Sequence, residues 1–161
     1  DIGVSRGLGD VYKRQELLEI QAAKSNIKLE FDQKYETAVT VNADRERMQQ
    51  VLTNLIINSI KYGKKKGTTE VSVQPIYDSK IIVRVRDNGE GIEDEHLPRL
   101  FERFYRVDKS GNRRRGGSGL GLAIVKHIIE AHKEKIFIES QVDIGSEFSF
   151  TLEKAAMKET A

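Results

Sequence analysis

Three stretches of the chain carry residue types that could handle a phosphorylated ligand. The first is VLTNLIINSIKYG, residues 51–63, where apolar side chains recur at helical spacing while Asn54, Asn58 and Lys61 recur about a turn apart. At about 100° per residue, Met48, Val51, Leu52, Leu55, Ile56 and Ile60 cover one broad arc, and Arg47, Asn54, Asn58 and Lys61 fall within roughly 60° of one another on the opposite side. A neutral amide oxygen can ligate a hard cation such as Mg²⁺, which keeps most of its waters and takes phosphate oxygens as further ligands. A lysine one turn on supplies a point charge for phosphate. An ordinary solvated helix face has the same composition, so the stripe alone leaves both readings open.

The second stretch is DNGEGI, residues 87–92, directly after a strand-like run. Asp87 could accept a hydrogen bond from an amino group, and Gly89 and Gly91 permit close backbone approaches; Asp-Asn-Gly is equally a common turn. The third is RRRGGSGLGLAIVKH, residues 113–127. Gly117, Gly119 and Gly121 lead into a helix whose free N–H groups and dipole form an anion site. The spacing is neither the dinucleotide fingerprint nor the P-loop, and a tight turn would use the same glycines.

The remaining pattern says what must position these groups. ELLEIQAAKSN reads as a helix, and IKLEFDQ and AVTVNAD as two short strands. Asp44 can cap the helix that runs to Tyr62, and the lysines of GKKKGT read as a solvated turn. EVSVQPIYD and KIIVRVRD form a hairpin through Asp78-Ser79, with Pro75 demanding an edge or a bulge. HLPRLFERFYRV is expected to be a short amphipathic helix from near Pro98, and DKSGNRRRGGSG a loop. A strongly periodic helix, LGLAIVKHIIEAH, and the strands KIFIES and SEFSFTL complete the series. The expected product is an α/β two-layer sandwich, with helices covering one face of a mixed, mostly antiparallel sheet.

Composition narrows the function classes. A chain of 161 residues, 38% hydrophobic and 32% charged, fits one soluble, globular domain with a real core. No apolar run approaches the ~20 residues of a membrane span, and nothing resembles a signal peptide. The absence of cysteine excludes disulfides, thiolate metal sites and cysteine nucleophiles. The net charge of +2 has a local origin. Residues 5–15, SRGLGDVYKRQ, match one translated frame of a transposon-end adapter used in preparing sequencing libraries, and their Arg6, Lys13 and Arg14 against Asp10 hold that whole surplus. The remainder is neutral and gives no indication of nucleic-acid binding. Residues 1–15 are therefore expected to be a scar without fold, cut into a longer protein, with the domain at 16–152 and a tail at 153–161.

Taken in order, DRERMQQVLTNLIINSIKYG, DNGEGI, LFERFYRVD, GGSGLGLAIVKHIIEAH and GSEFSFTL resemble the N box, first glycine box, F box, second glycine box and closing strand of sensor histidine kinases. Their catalytic ATP-binding domain belongs to the gyrase/Hsp90/MutL-like superfamily and has the Bergerat-type fold. The resemblance runs from about Glu16 to Leu152. It implies ATP and Mg²⁺ as cofactors. Asn58 matches the Mg²⁺ ligand, with Asn54 beside it, and Lys61 and Tyr62 the pair next to phosphates and nucleoside. Asp87 matches the acceptor of the adenine amino group, in a pocket shaped by Gly89, Gly91 and Ile92. Arg106 and Arg103 match positions that reach the γ-phosphate. Gly117, Ser118, Gly119, Leu120, Gly121 and Leu122 match the end of the ATP lid and the phosphate-facing helix start. Asn58, Lys61 and Arg106 would be the catalytic set, for in-line transfer to a histidine nitrogen.

That acceptor sits, in the family, on a dimerisation domain with its own sequence block. His96, His127 and His132 lack this context and read as structural or solvated. The expected partners are therefore a histidine-bearing dimerisation domain outside this chain, a second copy of the parent and a response regulator, with no nucleic acid and no membrane contact by this fragment. The resemblance implies a cytoplasmic domain of a parent anchored in a bacterial membrane. The family often has Gly-Gly after the histidine closing the last helix; here Lys133 and Glu134 follow His132, which weakens the expected helix stop. Two alternatives stand beside this reading. Self-sufficient ATPases and serine kinases of the superfamily carry a glutamate base where this chain has Asn54. A nucleotide-binding pseudokinase would have lost Asn58, Asp87 or the glycines, all of which are present.

Overall fold

In the computed structural model, the described residues are 2–3, 20, 22–24, 26–31, 40–77, 79–107 and 119–154. Residues 20 and 22–24 are helical. Strands β1 (Ile2–Gly3) and β3 (Thr40–Val41) pair antiparallel. The main sheet has the order β2 (Ile27–Phe31), β4 (Gly67–Tyr77), β5 (Lys80–Asp87), β7 (Gly145–Glu153) and β6 (Ile136–Gln141). β2 is parallel to β4, and the other pairs are antiparallel. Helices α1 (Arg45–Lys61) and α2 (Gly121–Ala131) pack on each other and on this sheet. This is the expected α/β sandwich. Of the expected scar, only Ile2 and Gly3 are described; of the tail, Glu153 closes β7 and Lys154 bridges to Val41.

The sheet face under the helices follows from strict alternation in β5, where Ile81, Val83, Val85 and Asp87 are buried. The register sets Val83 between Val73 and Phe150, and Val85 between Val71 and Phe148. Leu55, Ile56, Ile60 and Ile129 close over that row, fully buried. Burying each such side chain is worth about 1.5–3 kcal/mol, which is why α1 lies with its apolar arc down. Pro75 sits at a register shift before Tyr77, where β4 has already outrun its pairing with β2 at Val71.

Capping fixes the helix ends. Asp44 is extended, and its Oδ1 accepts the Arg47 N–H at 3.1 Å. His132, after α2, bridges the two helices: its Nε2 accepts the Asp44 N–H at 3.0 Å and its Nδ1–H donates to the Ile128 carbonyl at 2.8 Å. With Nε2 accepting and Nδ1 donating, both ring nitrogens are used in joining the helices, a structural role.

Two local expectations change. The helix expected from Pro98 is a 3₁₀ segment, Asp94–Arg99, which ends there instead. The Leu100 and Glu102 N–H groups bond three residues back, and the Phe104 N–H donates to the Gly119 carbonyl at 3.0 Å, so no α ladder forms. The stop after His132 is intact despite the missing glycines. Lys133 takes the left-handed conformation (φ 61°), while the N–H groups of Lys133 and Glu134 reach the carbonyls of Glu130 and Ile129. Glu134 is buried and accepts from Lys80 Nζ at 3.0 and 3.1 Å and from Thr151 Oγ1 at 2.5 Å. The conformational cost at Lys133 leads to a prediction. Lys133→Gly should stabilise the chain by about 1 kcal/mol, read as a higher urea midpoint with unchanged slope.

Candidate functional site

A cavity of about 240 Å³ opens where the C-terminal end of α1 meets the start of α2. Asn54, Ile57, Asn58, Lys61 and Tyr62 line it from α1 and its cap; Glu90, Gly91 and Ile92 from the loop after β5. Leu100, Tyr105, Arg106 and Val107 come from the segment after the 3₁₀ turn, and Gly119, Gly121 and Leu122 from the start of α2. Asn54 and Asn58 are half-buried, and among the described residues neither side-chain amide has a hydrogen-bond partner. Such amides, facing a cavity with Lys61 and Arg106, suit a hard cation that carries phosphate oxygens. Among the described residues no side chain caps α2, whose N-cap position is Leu120, so its first N–H groups suit an anion.

Backbone ties hold the loops. Gly91 has φ 73°, and a Cβ there would collide with the Gln141 carbonyl; the Asp143 N–H donates to Glu90 at 2.8 Å and the Ile92 N–H to Ser140 Oγ at 2.8 Å. Gly119 has φ 75°, and a Cβ there would stand 2.8 Å from the Phe104 backbone. Tyr105 is held from behind by a hydrogen bond to His96 and by Arg99 over its ring at 4.6 Å.

Asp87, 6% exposed, lies at the end of β5 beneath α1. Its Oδ1 accepts the Gly89 N–H at 2.9 Å and its Oδ2 the Ser59 hydroxyl at 3.3 Å. Burial raises its pKa above the usual carboxylate range; hydrogen bonds from Gly89, Ser59 and the Ser146 backbone pull it back, and the nearby Glu90 charge raises it slightly.

The cavity thus gathers Asn54, Asn58, Lys61, Tyr62, Gly91, Ile92, Arg106, Gly119, Gly121 and Leu122. Asp87 and Gly89 are buried beside it, Leu120 is half-buried before α2, and Arg103 is exposed and outside the lining. Gly117 and Ser118 lie outside the described residues, as do Arg113–Arg115. Sequence reasoning missed Glu90, Tyr105 and the buried Ser59–Thr69 pair, whose hydroxyls lie 2.9 Å apart. For Ser59 a signal existed, a hydroxyl in the middle of the apolar arc of α1.

The family model for "Histidine kinase-, DNA gyrase B-, and HSP90-like ATPase" matches residues 43–156. The chain belongs to that family. The sensor protein kinase WalK of Staphylococcus aureus is 42% identical over 111 residues, which are 68% of this chain and 26% of that protein. The sensor histidine kinase YkoH of Bacillus subtilis strain 168 is 37% identical over 143 residues, 89% of this chain and 28% of that protein. The chain therefore spans about a quarter of the length of these curated relatives. The histidine kinase ThkA, solved in complex with the response regulator protein TrrA, superposes with a TM-score of 0.74 at 29% identity, over 98% of this chain and 42% of that one.

In this ATPase-family domain the buried carboxylate carries a stability cost. A folded pKa raised above the unfolded value gives a contribution fully present below the unfolded pKa and lost as pH rises through the folded one. Asp87→Asn keeps an acceptor for Gly89 without the charge. It should melt no lower than the parent at pH 7, and any advantage should vanish by about pH 4. Thermal melts at both pH values test this; a large fall in Tm at pH 7 would contradict it.

Proposed function

We propose that this domain binds Mg²⁺-ATP and supplies the γ-phosphoryl group to a histidine on a dimerisation domain of a longer sensor kinase. The observation that carries the reading is the composition of one cavity. It joins Asn58, whose amide has no partner among the described residues, cationic Lys61 and Arg106, and the start of α2, which no described side chain caps, and it lies beside a buried acceptor, Asp87. In this reading Asp87 accepts the adenine amino group, while Gly89, Gly91 and Ile92 give the ring room. Lys61, Tyr62, Arg106 and the glycine-led start of α2, with Gly117 and Ser118 before it, attend the phosphates. Asn58 would hold Mg²⁺, which when bound neutralises charge on the phosphates. Arg103, exposed and outside the cavity lining, is kept as a second arginine for the γ-phosphate.

Asn54 supports histidine as the acceptor. A neutral imidazole nitrogen is nucleophilic without a base, whereas water or serine needs one. The carboxylate that does line the cavity, Glu90, comes from the loop after β5 and not from α1. The ThkA–TrrA complex supports a response regulator as downstream partner, and the length of the two sensor kinases supports a longer parent; in this reading that parent is a homodimer anchored in a bacterial membrane. Among the described residues no helix is long and apolar enough to cross a membrane. We further assign residues 16–152 to the domain, 1–15 to an adapter-derived scar and 153–161 to a tail.

Calorimetric titration of the chain with ATP, with and without Mg²⁺, tests the reading. Binding should be measurable and tighter with the metal. Asp87→Asn should weaken ATP by about tenfold or more, and Asn58→Asp should change which metal concentration saturates binding. No binding under any condition sinks the kinase and ATPase readings together. Substantial hydrolysis of ATP by the chain alone would favour a self-sufficient ATPase.

A further inference from the structure

The buried hydroxyl pair beneath the cavity is not accounted for by packing. Ser59 and Thr69 are fully buried, on α1 and β4 respectively, in positions where their neighbours along the same faces are Ile56, Ile60, Val71 and Val73. An apolar residue at either site would suit the core better unless the hydroxyls have partners. They do: the two oxygens lie 2.9 Å apart, and Ser59 donates onward to Asp87 Oδ2 at 3.3 Å. Ser59 has a single proton. If that proton goes to the carboxylate, its oxygen must accept from Thr69, so the chain runs Thr69 O–H to Ser59 O–H to Asp87.

We propose that Ser59 and Thr69 are positioning residues for adenine recognition, a two-hydroxyl relay that holds Asp87 in its rotamer and in its charged form. The proposal rests on the ATP reading. The pair acts through Asp87 and need not touch the nucleotide. The other oxygen, Oδ1, is held by the Gly89 N–H, so both carboxylate oxygens are anchored and their remaining lone pairs have fixed directions. Of the groups acting on Asp87 from the surrounding elements, namely Ser59 of α1, Gly89 and Glu90 of the following loop and Ser146 of β7, only Glu90 is charged, and it disfavours ionisation. The hydroxyl relay therefore works with the backbone amides against burial and against Glu90 to keep the carboxylate ionised. An amino group of adenine needs such an acceptor; a base with a carbonyl at that position does not.

The test compares ATP with inosine triphosphate, which lacks the amino group, across pH 5 to 8 on the full chain. Ser59→Ala, at a helical position that favours alanine, should weaken ATP about tenfold, leave inosine triphosphate unchanged, and move the acid loss of ATP binding to higher pH. Thr69→Val should do the same to a smaller degree, and Thr69→Ser should restore the parent profile. Equal loss for both nucleotides, or loss without a shifted acid limb, would mean a structural role and overturn the inference. So would unchanged ATP binding in Ser59→Ala. Failure of the unsubstituted chain to bind ATP would instead remove the reading beneath it.

Discussion

The seam between α1 and the sheet sets the position of every other group in the site. Met48, Val51, Leu52, Leu55, Ile56 and Ile60 are buried against β4 and β5, and that contact fixes the rotation of the helix about its own axis. Turning α1 by one residue would move about 100° of surface. It would expose apolar side chains worth about 1.5–3 kcal/mol each and bury amides at a cost of about 1–3 kcal/mol each without partners. Both effects have the same sign, so the stripe of Asn54, Asn58 and Lys61 has no low-energy alternative to facing the cavity. The polar residues need no contact of their own to be aimed; the apolar ones aim them.

The second helix converts this seam into a site with a direction. His132 ties the last turn of α2 to the N-cap of α1, and the other ends of the same helices, Lys61 and Gly121, line the cavity together. The two helices are therefore antiparallel, and the cavity receives the positive end of one dipole and the negative end of the other. Lys61 stands where the α1 dipole would repel an anion and reverses the local sign. Loop ties complete the enclosure: Gly119 to Phe104 on one side, Glu90 to Asp143 on the other. Each is a backbone contact that requires a left-handed residue at Gly119, Phe104, Gly91 or Asp143, so the walls depend on conformations that most side chains disfavour.

What could be read in the sequence follows the range of the interactions involved. The arc of α1, the Asp44 cap and the irregularity at Pro75 depend on residues within a few positions of one another, and all three stand in the structure. The 3₁₀ turn does not, because the Phe104 amide goes to Gly119, and no local pattern contains that partner. Lys133 reads as a weak helix stop because a lysine gives no sign of the left-handed conformation it takes; the closing N–H bonds to Glu130 and Ile129 are local, and only the anchoring of Glu134 by Lys80 and Thr151 is drawn from two other strands. The cavity residues were legible mainly through the order of family blocks, since the stripe or the glycines alone fit a solvated face or a tight turn. Ser59 shows the opposite failure. It stood in plain view on the apolar arc, but a serine among isoleucines reads as a tolerated substitution until Thr69 and Asp87 are seen beside it.

The buried Asp87 shows why these residues belong together. A carboxyl group almost removed from water is held against its own desolvation, which its hydrogen bonds from Gly89, Ser59 and Ser146 offset only in part. The chain nonetheless keeps that acceptor, with two anchoring donors and a hydroxyl pair across α1 and β4. An arrangement that weakens the free domain is explained by a ligand that offers a proton donor there, because the desolvation has then already been met before binding. In the proposed reading that donor is the adenine amino group, and the same preorganisation that costs the unliganded chain stability is what makes the acceptor selective.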